Sequence, residues 1–490
     1  MKDAFTKKRI VIGLVILAAL ITLFVIFKNT NNQQPPNPIG SIDSTESVKS
    51  DYEQTDTGVI IEWLNFGIDY PSIRFEDAGE GLYTLEALTE DNTTKYGFMN
   101  GTGDLKIPII YDNAKVFSDG MSYVELGEKK LFIDPSGKEV LDVSEYSNVS
   151  SFEFGFSVVT RVHSEAIESG FRQSFLQGLI DKSGNEVLPC VYYEAGCFEN
   201  GIIWAVQNGK FQIFSSSGNK LTQNEYNYVA YADEDMMIAE KDGKVGYLNK
   251  NGEVSIPFEY DHANRFINGL ALVGKDGLKG YINVRGEAIT DIEFEDANDF
   301  SEERAAVKVD GYYGYIDTQG NMVIPNEYDE VYSFNNGIAV VIKNIGRRSS
   351  YTPIDKNGEI AIIPNEMGYY KWNDRYIAYY NPEMGDYEVD LDFLALLDNS
   401  GIRLTEFYYT NIFDFQEGIA VAQESGGFSL FYGLINQHGV EIIPLFYENL
   451  AIVNSNTCIV QKYELDAETG SENRKVGIAT LPEDAATRRG

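Results

Sequence analysis

The residue types that most often carry out chemistry in proteins are rare in this sequence and lie far apart. Its 490 residues include three histidines and three cysteines. His163, His262 and His438 have no cysteine or acidic partner at the spacing of a metal site. The sequence also lacks a Gly-x-Ser-x-Gly nucleophile motif and a phosphate-binding loop followed by lysine. We therefore expect no metal site, no cofactor and no catalytic residue.

The cysteines allow two interpretations. Cys190 and Cys197 lie seven residues apart, close enough in sequence for a disulfide in an oxidising compartment. Cys458 leaves an odd count, which favours buried free thiols instead.

Acidic residues dominate the charge of the chain. It has 75 Asp and Glu against 39 Lys and Arg, a formal charge of -36. This charge argues against binding to nucleic acid or along an anionic lipid surface, because both need a basic face. Glycoside hydrolysis uses two carboxylates, but spacing distinguishes no pair here, so a carboxylate-dependent hydrolase is a distant alternative.

A cluster of aromatic residues is the candidate ligand-binding site. Exposed Tyr and Trp side chains bind sugars and peptides through flat faces and polar edges. In an array of β-strands, the same residue types also cover the core where a repeat is degenerate. The candidate residues are Tyr369, Tyr370, Trp372, Tyr376 and Tyr379.

The elements that position these residues form a repeat. Five segments begin at intervals of 34 residues: Gly178-Leu-Ile-Asp181, Gln212-Ile-Phe-Ser215, Gly246-Tyr-Leu-Asn249, Gly280-Tyr-Ile-Asn283 and Gly314-Tyr-Ile-Asp317. Further copies begin at Gly97, Leu131, Thr352, Ala395, Gly433 and Gly477. A fixed period of this length predicts a tandem repeat protein.

Each repeat predicts a meander of three β-strands. An apolar strand is followed by a tight turn, such as Asp276-Gly277, and then by the Gly-Tyr-Ile-Asp strand. An Asp-x-x-Gly or Asn-x-x-Gly turn leads to a third strand, which closes on Ile-Pro. A loop then carries a Tyr-Asp pair and ends in Phe-x-x-Gly. Because the phenylalanine recurs, we expect it to be buried between neighbouring units, which must share a core. These phenylalanines are Phe117, Phe198, Phe266, Phe334 and Phe415.

This succession of motifs resembles the tryptophan-glycine (WG) beta repeat family of bacterial proteins, over about residues 73–480. The resemblance implies surface or envelope binding modules, mostly of unknown ligand, and no catalytic residues. The signature Trp before Gly is replaced in this chain. The substitutes are Tyr96, Val245, Lys279, Tyr313 and Tyr432.

Eleven units fit a single propeller poorly, since propellers usually have four to eight blades. We therefore predict an all-β, open superhelical array of stacked meanders, with one or two propeller-like rings as the alternative. The last unit lacks a third strand, which residues 59–66 are able to supply. The spacing loosens between residues 343 and 393, the expected joint.

The amino end predicts a membrane anchor. Residues 10–27 contain no charge and are long enough to span a bilayer, and the basic residues in 1–9 place that end in the cytoplasm. No small-x-small site follows, which favours an uncleaved anchor over a removed leader. Residues 28–58 are polar and predict a disordered tether. The β-repeat domain spans residues 59–480, and 481–490 form a tail.

Together these features predict a membrane-anchored, extracytoplasmic binding protein without catalysis. Its expected partners are a cell-wall polymer or an envelope protein, with the lipid bilayer contacted through residues 10–27. A structural spacer or assembly scaffold is the alternative function.

Overall fold

The computed structural model describes the repeat region and leaves out the amino end. The described residues are 51–66, 72–89, 91–167, 170–233, 235–334, 337–345, 348–361, 368–372, 375–380, 393–396, 403–405, 409–425, 430–465 and 472–489. The predicted anchor, residues 10–27, lies outside them. Within the described part, no helix has the length and apolar character needed to cross a bilayer.

The first third of the described chain forms two leading strands and three sheets. The leading strands are β1 (Asp51–Gln54) and β2 (Ile60–Trp63). Sheet 1 contains β3 (Ser72–Gly79), β4 (Leu82–Leu88), β5 (Thr94–Asn100) and β6 (Leu105–Tyr111). Sheet 2 contains β7 (Asn113–Ala114), β8 (Ser122–Leu126), β9 (Lys129–Ile133) and β10 (Glu139–Asp142). Sheet 3 contains β11 (Asn148–Val149), β12 (Phe156–Ile167), β13 (Gly170–Asp181) and β14 (Glu186–Tyr192).

Four sheets of three or four strands follow. Sheet 4 contains β15 (Glu194–Cys197), β16 (Ile203–Gln207) and β17 (Lys210–Phe214). Sheet 5 contains β18 (Tyr228–Tyr231), β19 (Met236–Lys241), β20 (Lys244–Asn249) and β21 (Val254–Tyr260). Sheet 6 contains β22 (His262–Ala263), β23 (Leu270–Lys275) and β24 (Leu278–Asn283). Sheet 7 contains β25 (Asp296–Ala297), β26 (Ala305–Val309), β27 (Tyr312–Ile316) and β28 (Met322–Tyr328).

Four further sheets complete the described residues. Sheet 8 contains β29 (Glu330–Val331), β30 (Ile338–Ile345) and β31 (Arg348–Asp355). Sheet 9 contains β32 (Gly368–Trp372), β33 (Arg375–Tyr380) and β34 (Phe393–Leu396). Sheet 10 contains β35 (Asn411–Ile412), β36 (Ile419–Ser425), β37 (Leu430–Asn436) and β38 (Glu441–Tyr447). Sheet 11 contains β39 (Asn449–Asn454), β40 (Thr457–Leu465) and β41 (Glu472–Thr480), together with β2 and β1. β41 also pairs in parallel with β3, so sheets 11 and 1 are two parts of one nine-stranded sheet.

The tandem all-β repeat predicted from the sequence is confirmed, but the strands of a unit differ from the three expected. The residues after the Tyr-Asp pairs, predicted as loop, form a first strand of two residues in sheets 2, 6 and 8. In sheet 6, His262 and Ala263 pair with Gly274 and Val273. Two paired residues are too few to produce a hydrophobic period in a sequence, so this strand depends on its neighbour.

Consecutive sheets share buried cores. Ten clusters of buried side chains are described, and each joins one sheet to the next along the chain, or sheet 11 to sheet 1. The predicted aromatic contact recurs in them: the rings of Phe266 and Tyr247, and those of Phe334 and Tyr315, have centroids 4.9 Å apart. The phenylalanine of Phe-x-x-Gly thus packs on the central aromatic of the preceding sheet, as predicted.

The two ends of the array meet, which differs from the two free ends of an open stack. β2 pairs antiparallel with β41, confirming that the front strand completes the last unit. Gln461 Oε1 accepts a hydrogen bond from Phe75 N at 3.3 Å, and Asn449 Nδ2 donates to Phe75 O at 3.0 Å, so sheet 11 also contacts sheet 1. The ends join because the last unit lacks a strand of its own and exposes an apolar edge.

Both boundaries of the predicted repeat domain extend further than the sequence indicated. Asp51–Gln54, within the predicted tether, forms β1 and pairs with β2. At the other end, Leu481 and Ala485 are buried in the core shared by sheets 10 and 11. Asn436 Nδ2 donates to the carbonyl oxygens of Ala485 and Arg488, at 2.9 and 2.7 Å.

Candidate functional site

The predicted aromatic cluster lies on two paired strands of sheet 9. Tyr369 and Tyr370 on β32 pair with Ala378 and Ile377 on β33, and Tyr376 and Tyr379 lie on the same hairpin, as does Trp372. The side chains of these residues lie outside the described part of the structure. A ligand site at these residues therefore stays a prediction.

The recurring Tyr-Asp carboxylates hold turns in place. Asp261 accepts hydrogen bonds from Lys244 Nζ at 2.5 Å and from the backbone N of Asp276 at 2.7 Å. The hydrogen bond from Lys244 is the main cause that lowers the pKa of Asp261 below its usual value. Asp112 makes the same pair of contacts with Lys95 and with the backbone N of Gly127. This carboxylate fixes the hairpin between the second and third strands of the next sheet.

The Asp-x-x-Gly turns also satisfy their own polar groups. Asp181 Oδ1 accepts from the backbone N of Ser183 and Asn185, at 2.8 and 2.9 Å, and Asn185 Nδ2 donates to Oδ2. Each oxygen thus has a partner within the turn, as expected for a structural Asx turn. No group of three His, Cys, Asp or Glu residues within the described ranges is placed to hold a metal ion.

The three cysteines are free thiols. Cys190 Sγ lies 3.6 Å from Val159 O, and Cys197 Sγ lies 3.4 Å from Glu153 O. Burial raises the pKa of both thiols to about 11. At neutral pH both groups are protonated, which makes them poor nucleophiles.

A polar cleft lies along the first strands of sheets 6, 7 and 8, and we call it the first-strand cleft. Its volume is about 450 Å³. Sheet 6 contributes His262 and Asn264, and sheet 8 contributes Ser333. Between them, sheet 7 contributes Asn298 and Asp299. A chain of amide, hydroxyl and carboxylate groups therefore crosses three consecutive repeats.

Hydrogen bonds fix some of the groups in the first-strand cleft and leave others open. Asn264 Nδ2 donates to Asp299 Oδ1 at 2.8 Å, and Ser301 Oγ donates to Phe334 O at 2.6 Å. Among the described residues, no hydrogen-bond partner is seen for the side chains of Asn298 and Ser333. These groups remain available to a ligand.

Charge in the first-strand cleft is nearly balanced. Lys279 Nζ lies 2.5 Å from Asp296 Oδ1 and 3.3 Å from Ala297 O, so its positive charge is compensated. Asp299 is the one carboxylate among the residues that line the described cleft. Hydrolysis by paired carboxylates needs two.

Four of the positions that replace the signature Trp make contacts within the array. Tyr96 and Val245 pack on shared cores. Tyr313 donates its hydroxyl to Asp296 Oδ2 at 2.6 Å, and Lys279 bonds to the same carboxylate. Tyr96, Val245 and Tyr313 therefore have structural roles, in core packing or hydrogen bonding. Lys279 also lines the first-strand cleft.

Sequence reasoning placed the ligand site on the Tyr-rich segment and missed the first-strand cleft. The available signal was the period itself, since Asn264, Asn298 and Tyr332 are spaced 34 residues apart. Equivalent positions of a stacked array lie in a row, so polar residues at one position mark a shared surface.

Comparison with solved structures finds similarities of low identity. The V. cholerae biofilm matrix protein Bap1 is 12% identical over 87% of this chain and 90% of that one, with a TM-score of 0.24. The extracellular domain of BT4673 from B. thetaiotaomicron is 12% identical over 93% and 78%, with a TM-score of 0.20. Kluyveromyces lactis Hsv2 is 8% identical over 74% and 95%, with a TM-score of 0.18. TM-scores this low do not support any inference about the fold or function of this chain. No curated protein matches the sequence.

The sequence matches the family model described as WG containing repeat in five places. The matches cover residues 96–129, 178–211, 246–278, 280–313 and 313–344. They run from β5 to β30 and include β23 of sheet 6, whose Leu272 lines the first-strand cleft. The chain thus carries WG repeats between residues 96 and 344, and the resemblance to the WG repeat family that the sequence predicts is confirmed.

Proposed function

We propose that this protein is a non-catalytic binding protein of the cell envelope, with the first-strand cleft as its ligand site. The observation that carries the proposal is the line of polar side chains across sheets 6 to 8, of which Asn298 and Ser333 have no hydrogen-bond partner in the described structure. Exposed polar groups in a concave surface, held by a rigid scaffold, are typical of binding sites. The ligand is a wall polymer or an envelope protein.

We infer that the array is presented outside the membrane and closed as a ring. The uncharged segment 10–27 and the basic residues before it support the orientation. The pairing of β41 with both β2 and β3, and the core shared by sheets 11 and 1, support the ring. Protease added to intact cells is expected to remove the acidic domain while the amino end stays protected, and an intact domain inside the cell would contradict this orientation.

Retention experiments test the binding proposal. Tagged protein comprising residues 51–490, which includes β1, is incubated with purified wall fragments and, separately, with detergent-extracted envelope proteins. We expect retention of material from one of the two, and loss of that retention in Asn298→Ala. The matched control is Asn148→Ala, an exposed asparagine on the first strand of sheet 3, outside the cleft.

A scaffold role is the second candidate. It is supported by the number of recurring polar groups used within the array, such as the pair of bonds to Asp261. If neither wall fragments nor envelope proteins are retained, the scaffold becomes the better account.

A further inference from the structure

Three residues at or beside the first-strand cleft occupy one position of the repeat: Asn264 and Asn298 line the cleft, and Tyr332 precedes the lining residue Ser333. Asn264, Asn298 and Tyr332 each follow the short first strand of their sheet by one residue, after Ala263, Ala297 and Val331. Their backbone N groups make the same bond across the sheet; for example, Asn264 N donates to Leu272 O at 2.9 Å. The three side chains therefore leave equivalent points of three adjacent sheets.

Three buried tyrosines fix the backbone of this row of residues, Asn264, Asn298 and Tyr332. The hydroxyls of Tyr247, Tyr281 and Tyr315 donate to the carbonyl oxygens of Asn264, Asn298 and Tyr332, at 2.7, 2.5 and 2.7 Å respectively. All three donor tyrosines have 0% of their surface exposed. Each bond crosses from one sheet to the first strand of the next, so the spacing of the row is set by the core. Such preorganisation lowers the entropy lost on binding.

The row presents amides, a hydroxyl and an aromatic face. Asn264 is oriented by its bond to Asp299, and Asn298 and Ser333 are open. Tyr332 is 58% exposed, and its ring is available for stacking. Leu272, Ala297 and Phe300, the apolar residues lining the cleft, are buried and offer no deep apolar pocket.

The charges in the cleft and on the whole chain limit which ligands are able to bind. The positive charge of Lys279 is compensated by Asp296, so the cleft offers no free cation to an anionic polymer. Outside residues 1–28, which hold five basic side chains and one acid, the chain has 34 basic and 74 acidic residues, a charge of -40. A field of this sign repels phosphate and carboxylate polymers. Open amides and hydroxyls beside an exposed phenol ring suit an uncharged, hydroxyl-rich ligand.

We propose that the first-strand cleft binds a neutral glycan that extends across sheets 6, 7 and 8. In this complex Tyr332 stacks on the face of one sugar, while Asn298, Ser333 and the free oxygen of Asp299 bond to hydroxyl or acetamido groups. This inference rests on the proposed binding function and names its ligand class.

The test is calorimetric titration of the full-length chain in detergent. The probes are a hexamer of N-acetylglucosamine, a hexamer of glucose and polyglycerol phosphate. We expect one of the neutral hexamers to bind and polyglycerol phosphate not to bind. Tyr332→Ala and Asn298→Ala should each weaken binding by about tenfold or more, since stacking and paired hydrogen bonds contribute on that order.

The controls lie on first strands outside the cleft. Tyr228→Ala removes a tyrosine that is 49% exposed on β18, and Asn148→Ala removes an exposed asparagine on β11. Both should leave the affinity unchanged within about twofold. Melting temperatures of all four variants establish that each remains folded.

The outcomes distinguish failure of the glycan inference from failure of the proposed binding function. If wall fragments or envelope proteins are retained but neither hexamer binds, the glycan inference is overturned and the binding function stands. Binding of a hexamer that is unchanged by Tyr332→Ala and Asn298→Ala also overturns it, as does a preference for polyglycerol phosphate. If nothing is retained and nothing binds, both proposals fail.

Discussion

The glycine that begins each Gly-Tyr-Ile-Asp strand is required by a close approach of two backbones. A Cβ placed on Gly280 would lie 2.6 Å from Asp291 O, and one on Gly246 would lie 2.7 Å from Ile256 O. Contacts below 3.0 Å with backbone atoms cannot be relieved by turning a side chain. The glycine therefore allows the chain after the third strand to cross close to it.

Replacing this glycine should destabilise the repeat. We expect Gly280→Ala to lower the free energy of unfolding by about 1–3 kcal/mol, because the added methyl group forces the backbone apart. The matched control is Gly274→Ala on the neighbouring strand, where a Cβ would lie 3.4 Å or more from other atoms. Denaturant unfolding of both variants checks this, and equal stability of the two would contradict it.

The buried tyrosines of the same strands make the fold sensitive to alkali. Burial raises the pKa of Tyr247, Tyr281 and Tyr315 above the usual value near 10, and that of Tyr447 to about 12. Above pH 10 the unfolded chain releases these protons and the folded chain retains them. The free energy of unfolding therefore falls as pH rises from 10 toward the folded pKa values.

Tyr281→Phe should change stability in two ways. At pH 7 it loses the hydrogen bond to Asn298 O, and the free energy of unfolding falls by about 1 kcal/mol. Above pH 10 the loss of stability with pH becomes shallower, because one fewer proton is released on unfolding. Tyr312→Phe, at a tyrosine that is 48% exposed, serves as the control. An unchanged slope for Tyr281→Phe would refute this account.

At the scale of elements, one strand from the front of the domain completes the last sheet. β2 pairs with β41 through four residues, and Val59, Ile61 and Trp63 join the core shared by sheets 10 and 11. β1 is attached in turn: Glu53 Oε2 accepts from Trp63 Nε1 at 3.3 Å and lies 3.3 Å from Lys462 Nζ. The chain segment just before β2 is therefore part of the fold.

Two neighbouring residues of β2 test this closure. Ile61 is fully buried and Ile60 is 46% exposed. Ile61→Ala should lower the free energy of unfolding by about 2–4 kcal/mol, because it leaves a cavity in the core. Ile60→Ala should change it by less than about 0.5 kcal/mol. Similar losses for both variants, measured by denaturant unfolding, would contradict the pairing of β2 with β41.

At the scale of the whole molecule, the excess of acidic residues opposes the compact state. The ion pairs in the described residues are mostly exposed, such as Lys250 with Asp235, and exposed pairs contribute little to stability. The remaining carboxylates repel each other over distances set by the salt concentration.

Salt should therefore stabilise the protein. Raising NaCl from about 20 mM to about 500 mM shortens the screening length and should raise the melting temperature by several degrees. MgCl₂ at equal ionic strength is the control, because general screening predicts a similar rise. A melting temperature that stays constant in NaCl would show that self-repulsion has no measurable effect on this fold.

Most of the repeat was predictable because it depends on local geometry. Asp276 and Gly277 have φ values of 54° and 82°, so a residue pair that tolerates positive φ marks the turn directly. The burial of Phe266 followed from its recurrence, since a repeated large aromatic must fill a repeated space. The short first strands were not predictable, because two residues carry no period and pair only when a neighbouring strand is present.

The sequence by itself determined the tandem β-repeat, its period, its tight turns and its family, because each depends on residues a few positions apart. The tertiary structure alone decided that residues 60–63 meet residues 477–480, and that Asn264, Asn298 and Ser333 line one cleft. These contacts join residues that are distant in the chain. Their formation depends on how every intervening sheet packs, a property that no single segment encodes.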